Sequence, residues 1–312
     1  MSDECKSCCE HASKGHPVSN VNALWKTWED HDPVKIPETE YSLKGFSIAA
    51  LRTNFYIKEL GIMLDAGLSA NISPDYIFIT HGHADHCANL PYHLYSSKEG
   101  SKIQIYVPTE SSSKFNKLIE SAFELSCDAG ADEQYNSVHN YYDLVKCIPS
   151  NDPIELIIKK KKINLEIIKC HHGVPCIGYG FTEMRKKLKP EYVGLSGKEI
   201  GQLRKNDKNL DVNIEVEYPF FCFLGDTSKQ ILEDKTIEKY KNIMIECTFI
   251  LDEELEQADK TMHIHWKSLE PYVRSHPNNN FILYHFSQRY SKQEVIDFFK
   301  TLDLPNVIVW AN

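Results

Sequence analysis

The chain has no long apolar run, no surplus of positive charge, no regular cysteine framework and no internal repeat. Each absence narrows what it can be. Crossing a bilayer takes roughly 20 consecutive apolar residues, and the greasiest stretch, residues 218–224, suffices only for a buried strand, so no membrane role is expected. The opening residues, 1–16, are polar and lack the basic start and apolar middle of a secretory signal. The ten cysteines are scattered through 312 residues, a length that needs no disulfides to fold. Free thiols in a reducing cytoplasm follow as the expectation. A formal charge of −9 excludes nucleic-acid binding through overall basicity, so any RNA contact needs a local basic patch. What remains, 42% hydrophobic and 25% charged, is an ordinary globular composition able to bury a core.

Residues 1–42 show few periodic apolar positions and read as an N-terminal extension, partly disordered, ahead of a domain over 43–312. From there, short apolar runs predict strands over 46–57, 62–65, 76–80, 103–107, 154–158, 164–168, 179–182, 220–224, 243–246, 281–285 and 307–310. Helices are predicted over 88–97, 112–126, 233–240, 266–276 and 291–302. In the second of these, Phe115, Leu118, Ile119, Ala122 and Phe123 recur at helical spacing. Strands in series followed by strand–helix alternation suggest an α/β fold, an αββα four-layer sandwich.

The strongest motif is Thr80-His81-Gly82-His83-Ala84-Asp85-His86, between an apolar strand and a plausible helix. His81 and His83 can point into one cavity, while Asp85 and His86 serve a second ion nearby; imidazole with carboxylate suits zinc, manganese or iron. Gly82 and Ala84 are expected to keep the loop small enough for convergence. Further ligand-type residues stand at other strand ends: His172 in Cys170-His171-His172-Gly173, Asp226 in Leu224-Gly225-Asp226-Thr227, and His285 in Tyr284-His285-Phe286-Ser287. Taken singly, His171 or His172 reads equally as a hydrogen-bonded core residue, Asp226 as a helix N-cap and His285 as a solvent-facing strand end.

Together these motifs resemble the metallo-β-lactamase superfamily, and finer details resemble tRNase Z (ribonuclease Z). His172-Gly173-Val174-Pro175 with Gly178-Tyr179-Gly180-Phe181 is similar to that group's His-x-Val-Pro and Gly-Tyr. Glu246-Cys247-Thr248-Phe249 and His285-Phe286-Ser287-Gln288-Arg289-Tyr290 are similar to its Glu-Ala-Thr-Phe and His-Phe-Ser-x-Arg-Tyr, and Met262-His263-Ile264-His265 stands where it has Gly-His-Ser-Thr. The resemblance implies the metallo-β-lactamase sandwich and two metal ions, zinc first, with Mn2+ or Fe2+ also suited. His81, His83 and His172 would hold one, Asp85, His86 and His285 the other, and Asp226 would bridge them. Asp85, His263 and Glu246 would form the catalytic set: His263, oriented by Glu246, would protonate the leaving oxygen, with His265 the competing candidate. The implied substrate is precursor tRNA or another phosphodiester, cut by a hydroxide bridging the metals, and the relatives commonly pair as homodimers.

Two departures stand against the resemblance. Ala-Ala-Leu-Arg-Thr-Asn occupies 49–54 where the family has a Gly-rich turn, and no long Gly/Pro-rich arm lies between His172 and Asp226. That stretch does hold Arg185, Lys186, Lys187, Lys189, Lys198, Arg204, Lys205 and Lys208, which reads either as phosphate contacts or as a solvated charged loop. Lys159 to Lys162 read as an exposed hairpin turn. Cys5, Cys8, Cys9, His11 and His16 lack a second half for a zinc finger and read as a tail. Two rival functions remain open at this level: a hydrolase of a small ester, thioester or cyclic phosphate, and a catalytically silent scaffold or RNA-binding protein on the same fold.

Overall fold

The computed structural model describes residues 32–95, 102–126, 141–207 and 209–312; the N-terminal Cys/His segment and Lys208 lie outside them. Among the described residues, strands form two seven-stranded sheets. The first runs in chain order: β1 (Val34–Lys35), β2 (Ser42–Ile48), β3 (Arg52–Ile57), β4 (Ile62–Leu64), β5 (Tyr76–Phe78), β6 (Ile103–Pro108) and β7 (Tyr142–Cys147). The second holds β8 (Ser150–Ile158), β9 (Lys161–Cys170), β10 (Cys176–Leu188), β11 (Asn213–Phe223), β12 (Asn242–Glu246), β13 (Asn280–Tyr284) and β14 (Val307–Val309), also side by side in order. β1 to β4 and β8 to β11 pair antiparallel, whereas β4 to β7 and β11 to β14 pair parallel.

Side-chain alternation along the strands sorts residues into layers. In β13, Ile282 and Tyr284 join Phe55, Phe78, Tyr179, Phe181 and Phe223 between the sheets. The alternate residues Phe281 and Leu283 face outward, onto α6 (Trp266–Ser275) and α7 (Lys292–Lys300) through Leu269, Val273, Val295 and Phe299. The outer face of the first sheet is covered likewise by α2 (Leu90–Tyr95) and α3 (Ser112–Ser126). Each large side chain buried this way contributes on the order of 1.5–3 kcal/mol. The chain therefore forms the expected αββα sandwich. Across its middle, the Tyr179 hydroxyl on β10 reaches the carbonyls of Ile79 and Tyr106 in the first sheet at 2.6 and 3.0 Å.

Several elements differ from expectation. The single strand over 46–57 is a hairpin, β2 and β3, turning at Ala50, whose φ is +59°. The chain joins the sheet ahead of residue 43: β1 pairs with β2, and Ile36 and Tyr41 are buried. The helix over 88–97 is preceded by a separate turn, α1 (Ala84–Cys87), carrying Asp85 and His86. The helix over 233–240 is two 3₁₀ turns, because the Asp234 side chain accepts from the Thr236 amide and ends one turn to start the next. α4 (Gly197–Asn206) and α5 (Leu255–Thr261) were not anticipated. Beyond Glu183, β10 leaves β9, and residues 184–188 pair only with 213–217 of β11. A two-stranded extension thus projects from the sheet, carrying α4, which has no buried residue. The stretch between His172 and Asp226 thus holds a hairpin and a short helix, and no Gly/Pro-rich arm.

Candidate metal centre

Every ligand-type residue singled out above follows or ends a strand. His81, His83, Asp85 and His86 follow β5, His172 follows β9, Asp226 follows β11, and His285 directly follows β13. β9, β11, β12 and β13 run in one direction, so their carboxyl ends share one edge of the second sheet, where α/β sheets commonly bind ligands. Gly225 lets that edge press onto the first sheet, since a Cβ there would stand 2.7 Å from Thr80 Cβ. Gly82 has no such role; a Cβ there would meet nothing within 4 Å, so convergence does not depend on a small residue at 82.

The side chains form adjoining groups, His81–His83–His172–Asp226 and Asp85–His86–His285, with donor atoms in each within 4.8 Å of one another. His83 Nδ1 lies 3.1 Å from His81 Nε2 and 3.3 Å from His172 Nε2. His86 Nε2 lies 3.2 Å from His285 Nε2, and Asp85 Oδ2 is 3.5 and 3.4 Å from those two nitrogens. Asp226 Oδ2 sits between the groups, 3.7 Å from His81 Nε2 and 3.5 Å from both His86 Nε2 and His285 Nε2. Ligands about 2.1 Å from a tetrahedral cation stand about 3.4 Å apart, so these separations fit a group able to hold a metal ion.

Neighbouring groups hold the rings in place. His86 Nδ1 meets the buried Asp65 carboxylate at 2.7 Å, His285 Nδ1 meets Thr248 Oγ1 at 3.1 Å, and His172 Nδ1 meets the Met262 carbonyl at 3.2 Å. His81 Nδ1 lies 3.0 Å from Thr80 Oγ1, which itself donates to Asp65. With Nδ1 bound to an acceptor in each of these four rings, the Nε2 lone pair is left facing the cluster, which His83 faces with Nδ1 instead. Asp226 Oδ1 is buried with no hydrogen-bond partner among the described residues, an expense that a cation would offset. Burial works against the Asp226 charge, yet His285, His86 and His81 outweigh it and hold the carboxyl well below its ordinary range. Burial pushes His81 and His172 down, toward the neutral form that ligates. His86 is also opposed by burial but is driven well up by Asp226 and Asp65.

His263 and His265 separate clearly. Both His265 nitrogens are used elsewhere: Nε2 donates to the Leu251 carbonyl at 2.8 Å and Nδ1 accepts from the Lys267 amide at 3.0 Å, capping α6. His263 faces the cluster, its Nδ1 2.8 Å from Glu246 Oε1 and 4.0 Å from Asp226 Oδ2. Burial lowers the His263 pKa, but Glu246 and then Asp226 more than reverse this and raise it to about 9. Its Nε2 has no partner among the described residues. Glu246 is locked in turn, accepting from the Thr227 amide at 2.9 Å and the Thr248 hydroxyl at 2.5 Å. Asp65, Thr80 and Thr248 were missed as site residues. Asp65 carries the same signal as Asp226 and His285, a polar residue directly ending an apolar strand.

This fold with a His/Asp cluster able to hold metal defines a metallo-β-lactamase-fold protein, and comparison with known proteins narrows it. No family model matches the chain. It is 30% identical over 276 residues to the Arabidopsis thaliana tRNase Z TRZ1, covering 85% of this chain and 92% of that one. With the chloroplastic tRNase Z TRZ2 of the same plant it shares 27% over 269 residues, covering 82% and 70%. The short form of human tRNase Z superposes with a TM-score of 0.52 at 17% identity, covering 86% and 96%. The Bacillus subtilis metallo-β-lactamase-fold protein YhfI superposes at 0.54 and 15%, covering 86% and 95%. The chain belongs to the tRNase Z family, and so to the hydrolytic nucleases of this fold. No helix among the described residues is long and apolar enough to cross a membrane, and the six described cysteines are free and buried.

Proposed function

We propose that the protein is a metal-dependent endoribonuclease that removes 3′ trailers from precursor tRNA. His81, His83 and His172 would hold one zinc ion, Asp85, His86 and His285 a second, with Asp226 between them; Mn2+ or Fe2+ would suit the same donors. The observation that carries this reading is the shared Asp226 oxygen between two donor sets, with His263 at their edge. The chemistry supplied by bound cations is a water acidified for attack and neutralisation of charge on the phosphate's non-bridging oxygens. The chain's own part is proton transfer. His263, gripped by Glu246 through Nδ1 and protonated at neutral pH, donates from Nε2 to the leaving 3′ oxygen. The upstream fragment then ends in a 3′-hydroxyl.

An RNA substrate asks for local positive charge on a chain of formal charge −9. The β10–β11 extension offers Lys186, Lys187, Lys189, Lys198, Arg204 and Lys205 on or beside the hairpin and α4, interspersed with Glu191, Glu199, Asp207, Asp211, Glu215 and Glu217. Arg185 contributes less, because it is paired with Glu183 at 2.8 Å and stacked on the Tyr218 ring. Free buried thiols fit a reducing compartment such as the cytosol. The test is to incubate the protein with a trailer-bearing tRNA precursor and map the cut, beside bis-p-nitrophenyl phosphate and a thioester, across a salt series. A single cut leaving a 3′-hydroxyl, weakening steeply with salt, is expected. Salt-insensitive turnover of small esters with no RNA cleavage would assign the protein to the small-ester hydrolases instead.

A further inference from the structure

A groove of about 400 Å³ opens beside the His81–His83–His172 group, within the roughly 300–1,000 Å³ typical of small-ligand sites. Lys169 at the end of β9 and His172, Val174 and Pro175 of the turn before β10 line it, with Glu110, following β6, and Met262, following α5. Its chemistry is mixed in a specific way. Val174, Pro175 and Met262 offer apolar surface, Met262 through a soft thioether that packs well on aromatic faces. Lys169 is exposed, and neither it nor Glu110 has an ion-pair partner among the described residues. A phosphate seated inside the groove would meet the Glu110 carboxylate, so a neutral, flat group fits better there, with any phosphate kept to the Lys169 side.

Position decides which part of a substrate this is. Met262 directly precedes His263, and its carbonyl holds His172 Nδ1 at 3.2 Å. The His172 and His263 rings stand 5.0 Å apart. The groove therefore adjoins the residue that protonates the leaving oxygen. Resting on the reading proposed above, we infer that it receives the nucleoside immediately upstream of the cut. The base lies against Val174, Pro175 and Met262, and Lys169 pairs with the next phosphate in the 5′ direction.

The experiment uses the full chain and three precursor tRNAs: intact, abasic at the nucleotide just upstream of the cut, and abasic just downstream. Losing the base's contacts with Val174, Pro175 and Met262 should cost roughly tenfold, at about 25 cal/mol per Å² of apolar surface, so kcat/KM should fall about that much for the upstream abasic RNA and change less than about twofold for the downstream one. Lys169→Glu should raise KM on the intact precursor roughly tenfold, and a neutral methylphosphonate at the phosphate assigned to Lys169 should abolish the difference between variant and wild type. A loss confined to the downstream abasic RNA would give the groove to the trailer and overturn the inference, as would equal cleavage of all three RNAs. If the intact precursor is not cut at all, the reading under Proposed function has failed, a result distinct from normal cleavage that ignores the missing base.

Discussion

Replacing Asp65 by asparagine asks whether the cluster depends on the group behind it. Asp65 is fully buried and accepts at both oxygens: Oδ1 takes the Thr80 amide at 2.7 Å, and Oδ2 meets His86 Nδ1 at 2.7 Å. Two acceptors are needed, and an asparagine side chain has only one. With its oxygen kept on Thr80, the amide nitrogen faces His86 Nδ1 and can only donate. The imidazole must then carry its hydrogen on Nε2, the atom 3.2 Å from His285 Nε2 and 3.5 Å from Asp226. Nitrogen so protonated has no lone pair for a cation. Loss of such an outer partner typically costs 10- to 100-fold in metal affinity, about 1.4–2.8 kcal/mol at about 1.4 per decade. The assay is chelator competition: zinc-loaded wild type and Asp65→Asn are titrated with a competing chelator, with circular dichroism checking that both stay folded. The midpoint should move by the same 10- to 100-fold. A folded variant holding zinc within twofold of wild type would refute the tautomer argument.

Asp226→Ala should lose metal and activity together, whereas His263→Ala should keep its metal and lose about 10²- to 10⁴-fold in turnover. In wild type, kcat should fall as pH rises through about 9, where His263 gives up its proton, and His263→Ala should lack that limb. A His263→Ala enzyme at normal rate would remove His263 from the mechanism. Away from the site, His93 donates Nε2 to the Leu68 carbonyl at 2.9 Å while its buried Nδ1 has no partner, and burial pushes its pKa to about 4. The unfolded chain takes the proton first, near 6.5, so this stability is complete above that pH and is lost as pH falls through about 4. Between pH 7 and 5 the loss amounts to about 2 kcal/mol, read as the difference between urea melts of wild type and His93→Gln. Parallel pH profiles would contradict it.

Much of this was legible before any coordinates. Apolar runs ending in histidine or aspartate marked β5, β11 and β13 together with their ligands, because buried strands read as continuous hydrophobic stretches. The legibility failed where burial is partial. β7 mixes exposed Asp143 and Lys146 with half-buried residues and shows no clean run, and α4 offers only Ile200 and Leu203 as an apolar face, neither fully buried. Only the capping box of Ser196 and Glu199 announces that helix. Thr248 was invisible for another reason: it acts through a neighbour's ring, and no spacing rule links it to that ring; Asp65, ending the apolar run of β4, could have been found.

The cluster draws its side chains from both halves: four from the loop and helical turn after β5, three from strand ends of the second sheet. A bound cation would therefore tie together positions as far apart as His86 and His285, 199 residues distant along the chain. Such a tie acts as a staple, closing long loops that the unfolded polypeptide leaves open. Neither layer owns the chemistry alone, and emptying the centre should loosen the grip of one half of the protein on the other as well as silence it.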